Sequence, residues 1–305
     1  MTYSAAQDGY QSWLLAIREA RLKGVREKRF SPINEEEQAI VNMPRLLIWF
    51  STGAASAVAC RIVLRDNPDA LIVRCETNNE DPDNYRFEAD VMGFLKRSIT
   101  LLRSEDYSSV WDVWRRRRFI AGINGATCTT EMKIAPRLAF QMPTDHHVFG
   151  YTADVGDVKR FANLKANYPE LQVTAPLIDR GITKASALAM VEGWGIALPR
   201  SYAMGFPNAN CLQTGCGKAT SPNYWALYRH HFPVEFARTA AYSREIGARL
   251  ARINNIRVFI DEIPADWPYT EAIVPHCDFL CQIAEDEERA MAPQPREESN
   301  VLRVG

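Results

Sequence analysis

The segment Arg45–Phe50 is a compact apolar run that suits a buried strand. It opens into a turn of small residues, Ser51-Thr52-Gly53-Ala54-Ala55, and then into the Ala- and Val-rich stretch Ser56–Leu64, which reads as a helix. This unit constrains the chain most, because a strand apolar on both faces needs a sheet covered on both sides. The pattern recurs. Ala70–Cys75 is a second strand, closed by the polar loop Glu76–Asp83 and followed by a helix from about Asn84 to Lys96. His147–Gly150 is a third strand before a charged helix around Asp157–Asn167, and Val173–Leu177 is a fourth. Strands alternating with helices at this spacing predict an α/β fold with a doubly wound, mostly parallel sheet.

Helical extensions are expected on either side of that sheet. Residues 10–29 place Trp13, Leu14, Ile17, Leu22 and Val25 at helical spacing, within an N-terminal extension over 1–44. Glu35-Glu36-Glu37 reads as a solvated first helical turn. The α/β domain is expected over 45–200, with Thr183 capping a helix that runs to Gly193. A cysteine-bearing, largely helical region follows over 201–285, with a loop at Pro199–Asn223, a long helix at Pro233–Arg252 and a last short strand at Arg257–Ile260. Residues 286–305 are acidic and then Pro/Arg-rich, the composition of a flexible tail.

Thirty-six Lys and Arg against thirty-seven Asp and Glu leave a formal charge of -1, so no whole-chain basic field argues for nucleic acid. The densest basic run is Arg115-Arg116-Arg117-Arg118, behind Trp111 and Trp114, whose spacing suits anchorage of a helix to the core. Nucleic acid or phosphate contact there is the alternative. The longest apolar run, Leu46–Phe50, is far below the roughly 20 residues of a membrane span. An acid precedes the apolar part of the N-terminus, unlike a secretory signal. A soluble, cytoplasmic protein without a membrane partner is expected. The pairs His146-His147 and His230-His231 read as surface or loop histidines.

The turn Ser51–Ser56 carries the first chemical signal. A strand running through small residues into a helix leaves backbone N–H groups pointing at one spot, an anion cradle suited to phosphate. Ser51, Thr52 and Ser56 add hydroxyls. The plainer alternative is a turn that only packs closely. The segment is neither GxxxxGK[ST] nor GxGxxG.

This turn resembles the modified P-loop of the phosphoadenosine-phosphosulfate (PAPS) reductase and N-type ATP pyrophosphatase superfamily of adenine nucleotide alpha hydrolase-like proteins. Their first strand is followed by Ser-Gly-Gly-Xaa-Asp-Ser. Ser51, Gly53 and Ser56 match the first, third and sixth places, whereas Thr52 and Ala55 depart. Ala55 stands where pyrophosphatase members carry an acid near the metal, a departure that leans toward the sulfonucleotide reductases. Ile72–Thr77 followed by Asp83–Phe87 resembles the family's second strand, acidic turn and helix start. Phe149–Asp154 with Arg160 resembles its Gly-Xaa-Arg-Xaa-Asp/Glu segment and trailing arginine. Thr174–Asp179, then Thr183-Lys184, resembles its Pro-Leu-Xaa-Asp-Trp-Thr segment. These matches run in order over roughly residues 45–235. The resemblance implies a site for ATP or a sulfonucleotide formed by Ser51, Thr52, Gly53, Ala54, Ala55, Ser56, Glu76, Thr77, Gly150, Tyr151, Asp154 and Arg160. Mg2+ is allowed beside the phosphates, with Glu76, Glu80, Asp81 or Asp154 as its ligand.

Seven cysteines without a secretory signal direct attention to thiols, metal ligands or redox chemistry. Cys60 and Cys75 lie in apolar surroundings and read as buried small hydrophobes. Cys128, Cys211, Cys216, Cys277 and Cys281 lie beside polar or turn-forming residues. Soft thiolates select iron–sulfur or zinc, and the spacing does not decide between them. The stretch Cys128–Pro136 resembles the family segment in which a cysteine or cysteine pair precedes Lys and Pro and some members bind a [4Fe–4S] cluster. Cys128 matches the first cysteine, Thr129 stands in place of the second, and Lys133 matches a basic residue near substrate or cluster. That likeness implies catalytic roles for Cys128 and Lys133. Asn208–Lys218 and Pro275–Cys281 resemble the cysteine loops of reductase-like members. One centre from Cys128, Cys211, Cys216 and one or both of Cys277 and Cys281 is expected at the pocket mouth, a [4Fe–4S] cluster by resemblance and zinc as the alternative. Otherwise Cys128 is an exposed thiol whose pKa a helix dipole lowers.

Two functions follow from the resemblance. One is an enzyme of sulfur transfer or sulfonucleotide chemistry, with an adenine nucleotide as partner and a sulfur or electron donor protein. The other is a nucleotide-binding regulatory or DNA/RNA-modification-associated module with a structural metal site and no turnover. Family reductases end in Glu-Cys-Gly-Xaa-His, and no cysteine follows Cys281 here. A homo-oligomer is compatible with both.

Overall fold

The computed structural model describes residues 44–122, 125–208 and 211–269. The expected N-terminal helix, the tail, Cys277 and Cys281 lie outside the described residues. Five strands, β1 (Leu46–Trp49), β2 (Leu71–Cys75), β3 (Ile99–Leu102), β4 (His146–Phe149) and β5 (Gln172–Thr174), form one sheet in the order β3-β2-β1-β4-β5. All of its pairings are parallel, with Ile48 opposite both Ile72 and Val148. The order reverses direction between β1 and β4. In open sheets of this kind ligands bind at such a reversal, beyond the carboxyl ends of the strands.

Local chemistry sets the helix boundaries. Helix α1 (Ala54–Asp66) starts after Gly53, which is extended and offers no side-chain cap; instead the Ala54 amide donates to Tyr202 Oη at 3.3 Å. Helix α2 (Pro82–Leu95) has Pro82 in its first turn and Asp81 as cap, accepting from the Asp83 amide. Helix α3 (Val110–Arg117) is capped by Ser109 and ends on Arg118 in the left-handed region. Helix α4 runs through Thr127–Thr129, a π-helical turn Thr130–Ile134 and Ala135–Phe140. Helix α5 (Val155–Asn167) crosses from β4 to β5. Helix α6 (Lys184–Gly193) begins as expected, with the Thr183 hydroxyl accepting from the Ser186 amide. Helices α7 (Pro222–His231) and α8 (Pro233–Glu245) follow.

Three sequence expectations are corrected. The strand over Val173–Leu177 stops at Thr174, because Pro176–Asp179 turns helical and buries Leu177. The helix over Pro233–Arg252 ends at Glu245, and Ala251–Ile253 (β6) pairs antiparallel with Ile256–Val258 (β7). His147 is not a surface histidine; it is fully buried in β4.

One hydrophobic core lies between the sheet and helices α1, α2 and α6, where Ile48, Ile72 and Val148 meet Val58, Phe87 and Leu188. A second gathers Trp111 and Trp114 of α3, Met132 of α4, Phe206, Leu212, Trp225, Tyr228 and Phe236. It takes residues from both sides of the expected boundary at 200/201. Helix α4 reaches β3 on the opposite face of the sheet, and a cleft opens between α4 and Trp49 and Phe149. No helix among the described residues is long and apolar enough to cross a membrane.

Candidate functional site

The cleft, about 320 Å³ in volume, lies at the carboxyl ends of β1, β2 and β4, where the strand order reverses. That volume is at the small end for a ligand pocket. Trp49 and Phe149 are register partners and stack at 6.3 Å, giving the cleft an aromatic side. Phe50, Ser51, Gly150 and Tyr151 line it where the strands end, and Lys133, Ile134 and Arg137 of α4 line it opposite. Cys75 and Glu80 complete the lining. Gly150 is required by a close approach: a Cβ there would lie 2.8 Å from the Ser56 backbone.

The turn Ser51–Ser56 is held mainly by its own hydroxyls. Ser56 Oγ donates to the Gly53 carbonyl at 2.8 Å and accepts from the Ser51 amide at 3.1 Å. Thr52 is buried with φ at 55°, in the left-handed region. A β-branched residue is rarely found there. Its Oγ1 lies 2.7 Å from both the Ser51 carbonyl and Glu80 Oε2, contacts that hold the conformation. Gly53, Ala54 and Ala55 are buried in the start of α1. The helix start is partly closed, since the Ala54 amide already donates to Tyr202. The Lys184 ammonium stands 5.9 Å from the Tyr202 ring and donates to Asn208.

The other expected nucleotide residues fall in two groups. Gly150 and Tyr151 line the cleft. Glu76, Thr77, Asp154 and Arg160 do not. Glu76 accepts from Arg74, the Tyr85 hydroxyl and the Thr77 and Asn78 amides, which together hold its carboxyl below the usual range despite burial. Thr77 is buried beneath that turn. Asp154 accepts from the Thr152 hydroxyl and the Lys184 amide, bracing two loops. Arg160 is 65% exposed on α5 and pairs with Asp157 at 3.1 Å. Asp81, weighed as a magnesium ligand, is bound bidentately by Arg200. Glu80 is the acid in the cleft lining.

Lys133 sits in the π-helical turn among sulfur atoms and Glu80. Desolvation opposes its charge, but Cys211, Glu80, Cys75 and Cys128 outweigh it, and the ammonium is held above the ordinary lysine value. Cys128 is half-buried rather than exposed, and desolvation raises its thiol instead of a dipole lowering it. Desolvation also raises Cys211, to about 12, against the pull of Lys133; Cys216 and Cys128 add to the rise. Cys128, Cys211 and Cys216 are thus mutual electrostatic neighbours. Gly215 makes the loop between Cys211 and Cys216 feasible: its φ is 68°, and a Cβ would meet the Trp225 ring at 2.7 Å. Among the described residues no group of three or more His, Cys, Asp or Glu side chains is arranged to hold a metal ion. Cys277 and Cys281, the other two expected ligands, lie outside the described residues.

Glu80, weighed as a magnesium ligand, does line the cleft, whereas Cys75 and Arg137 are cleft residues that sequence reading placed elsewhere or passed over. Cys75, expected to be a core residue, ends β2; its thiol donates to the Lys133 carbonyl at 3.6 Å, and desolvation raises it to about 11. The last residue of a parallel strand points toward the reversal site, a positional signal available once the strand is assigned. Arg137 follows Lys133 by four residues on one helix, and that spacing was its signal. Trp111 and Trp114 are buried, as expected for core anchors. In the arginine run, Arg117 pairs with Glu131 and Arg118 with Glu245. No protein-family model and no curated protein matches this chain.

Proposed function

We propose that this chain is a PAPS reductase-like, adenine-nucleotide-binding enzyme of sulfur transfer or sulfonucleotide chemistry, working in the cleft between β1 and β4. The observation that carries the reading is the position of the cleft. It lies at the reversal of a parallel sheet, with the Ser51 turn and Gly150 at one boundary and the half-buried cation Lys133 beside cysteines at another. Thr52 supports the resemblance independently: it holds a left-handed φ at the place where the family pattern carries glycine. An aromatic side made of stacked Trp49 and Phe149, with Tyr151 tilted against Phe149, suits an aromatic base. Lys133 would hold an anionic substrate group beside the thiols. A [4Fe–4S] or zinc site using Cys128, Cys211, Cys216 and one or both of Cys277 and Cys281 belongs to the proposal, but no step is derived through it.

A second reading, a nucleotide-binding regulatory or DNA/RNA-modification-associated module without turnover, is favoured by the thiols. Desolvation raises Cys75, Cys128 and Cys211, so none of these three is a ready thiolate at neutral pH.

Calorimetry with ATP and adenosine 5′-phosphosulfate tests the reading on protein purified without oxygen and assayed for iron and zinc. Binding is expected, and Lys133→Met should weaken it about tenfold, the loss of one charge-assisted bond. A wild-type protein that binds neither nucleotide overturns the proposal. Release of AMP from ATP, or of AMP and sulfite from the phosphosulfate when a dithiol supplies the two electrons, separates the enzyme from the module.

A further inference from the structure

Arg137 is buried at 6% exposure, lines the cleft and stacks over Tyr168 at 4.8 Å. Its Nε and Nη2 have no hydrogen-bond partner among the described residues. These two N–H groups form the side edge of the guanidinium, which grips two oxygens of a phosphate or similar oxyanion in parallel. Arg45, another largely buried arginine, spends this same edge on the carboxylate of Asp145. Burying a cation with its fork unused is costly, and an incoming anion would offset that cost. Lys133, one helical turn earlier, adds a second cation. The cleft carboxylate, Glu80, is engaged by the Thr52 hydroxyl.

We propose that Arg137, with Lys133, forms a subsite for a tetrahedral oxyanion carried by the nucleotide beyond its first phosphate, either a second phosphate or a sulfate. The inference rests on the nucleotide reading above and gives that site a substrate class. A nucleoside monophosphate would leave the fork empty, whereas a diphosphate or phosphosulfate would fill it. Tyr168 behind the guanidinium holds its plane, so a lysine at this position would keep the charge but lose the paired geometry.

Calorimetry with AMP, ADP and adenosine 5′-phosphosulfate on wild type, Arg137→Gln and Arg137→Lys tests the subsite. Thermal unfolding with and without inorganic pyrophosphate or sulfate accompanies it. Arg137→Gln should weaken the two longer nucleotides by about 10–100-fold and AMP by less than about threefold, with Arg137→Lys between. Whichever of ADP and phosphosulfate suffers more identifies the anion. The ligand-free Gln variant should melt no lower than wild type, since an unpaired buried charge has gone. Pyrophosphate or sulfate should raise the melting temperature of wild type but not of the Gln variant. Equal loss for AMP and the longer nucleotides, or no loss, overturns the proposal. If no nucleotide binds wild type yet either inorganic anion stabilises it through Arg137, the nucleotide reading fails and the anion subsite stands. If neither anion nor any nucleotide has an effect, both fail.

Discussion

His147 accepts the Trp49 indole N–H on Nδ1 at 3.0 Å, and its ring stacks on Trp49 at 5.9 Å. Its Nε2 is buried without a partner among the described residues. Desolvation, reinforced by nearby Arg137, depresses its pKa to about 4. The sign follows from the neutral folded form: between about pH 4 and 6.5 the unfolded chain binds the extra proton. Stability is therefore full above 6.5 and is lost as pH falls toward 4, a shift worth on the order of 3 kcal/mol. Urea unfolding at stepped pH should show that slope, and His147→Gln should remove most of it. An unchanged slope would contradict the assignment. The sequence alone suggested a surface histidine, because adjacent histidines carry no sign of which one a sheet buries. Gly150 was legible as part of a motif, but its packing against Ser56 was not.

Helix α4 shows how an element aims a side chain. A π-helical turn inserts one residue into an α-helix and changes the facing of all that follow. Here the turn spans Thr130–Ile134 and contains Lys133. Deleting Thr130 should restore an α-helical run and swing Lys133 by about 100° relative to Cys128. Circular dichroism should then stay near wild type while binding of ATP or adenosine 5′-phosphosulfate falls tenfold or more. Retained binding would show that the turn does not position the lysine. No residue pattern in Cys128–Pro136 announces such a turn, which places Met132 in the second core while Lys133 and Arg137 meet the cleft. Thr183 is the contrast: it was readable as a cap because capping is a local hydrogen-bond problem solved within four residues, whereas the helix expected from about Asn84 begins at Pro82 behind the Asp81 cap.

At the scale of the whole molecule, two hydrophobic cores share the chain between them. Trp111, Val113 and Trp114 lie within the expected α/β segment yet pack with Leu212, Trp225 and Phe236. A chain ending at residue 200 should therefore expose them. Each large core side chain is worth on the order of 3 kcal/mol, against a total stability of about 5–15 kcal/mol. Such a fragment should lose cooperative urea unfolding, monitored by tryptophan fluorescence; a sharp transition would mean that the first core suffices. Sequence alone was enough for the parallel α/β sheet, most of its strands, the small-residue turn at Ser51–Ser56 and the Thr183 cap. These depend on short-range patterns of apolar, turn-forming and capping residues. It did not determine β3, a short strand whose place is set by pairing with β2, nor which strand ends meet at the cleft. Tertiary structure alone brought Cys75 and Glu80 of the β2–α2 unit together with Lys133 and Arg137 of α4. It also left Arg160 on the surface, because a helix's facing is decided by what it packs against rather than by the residues it carries.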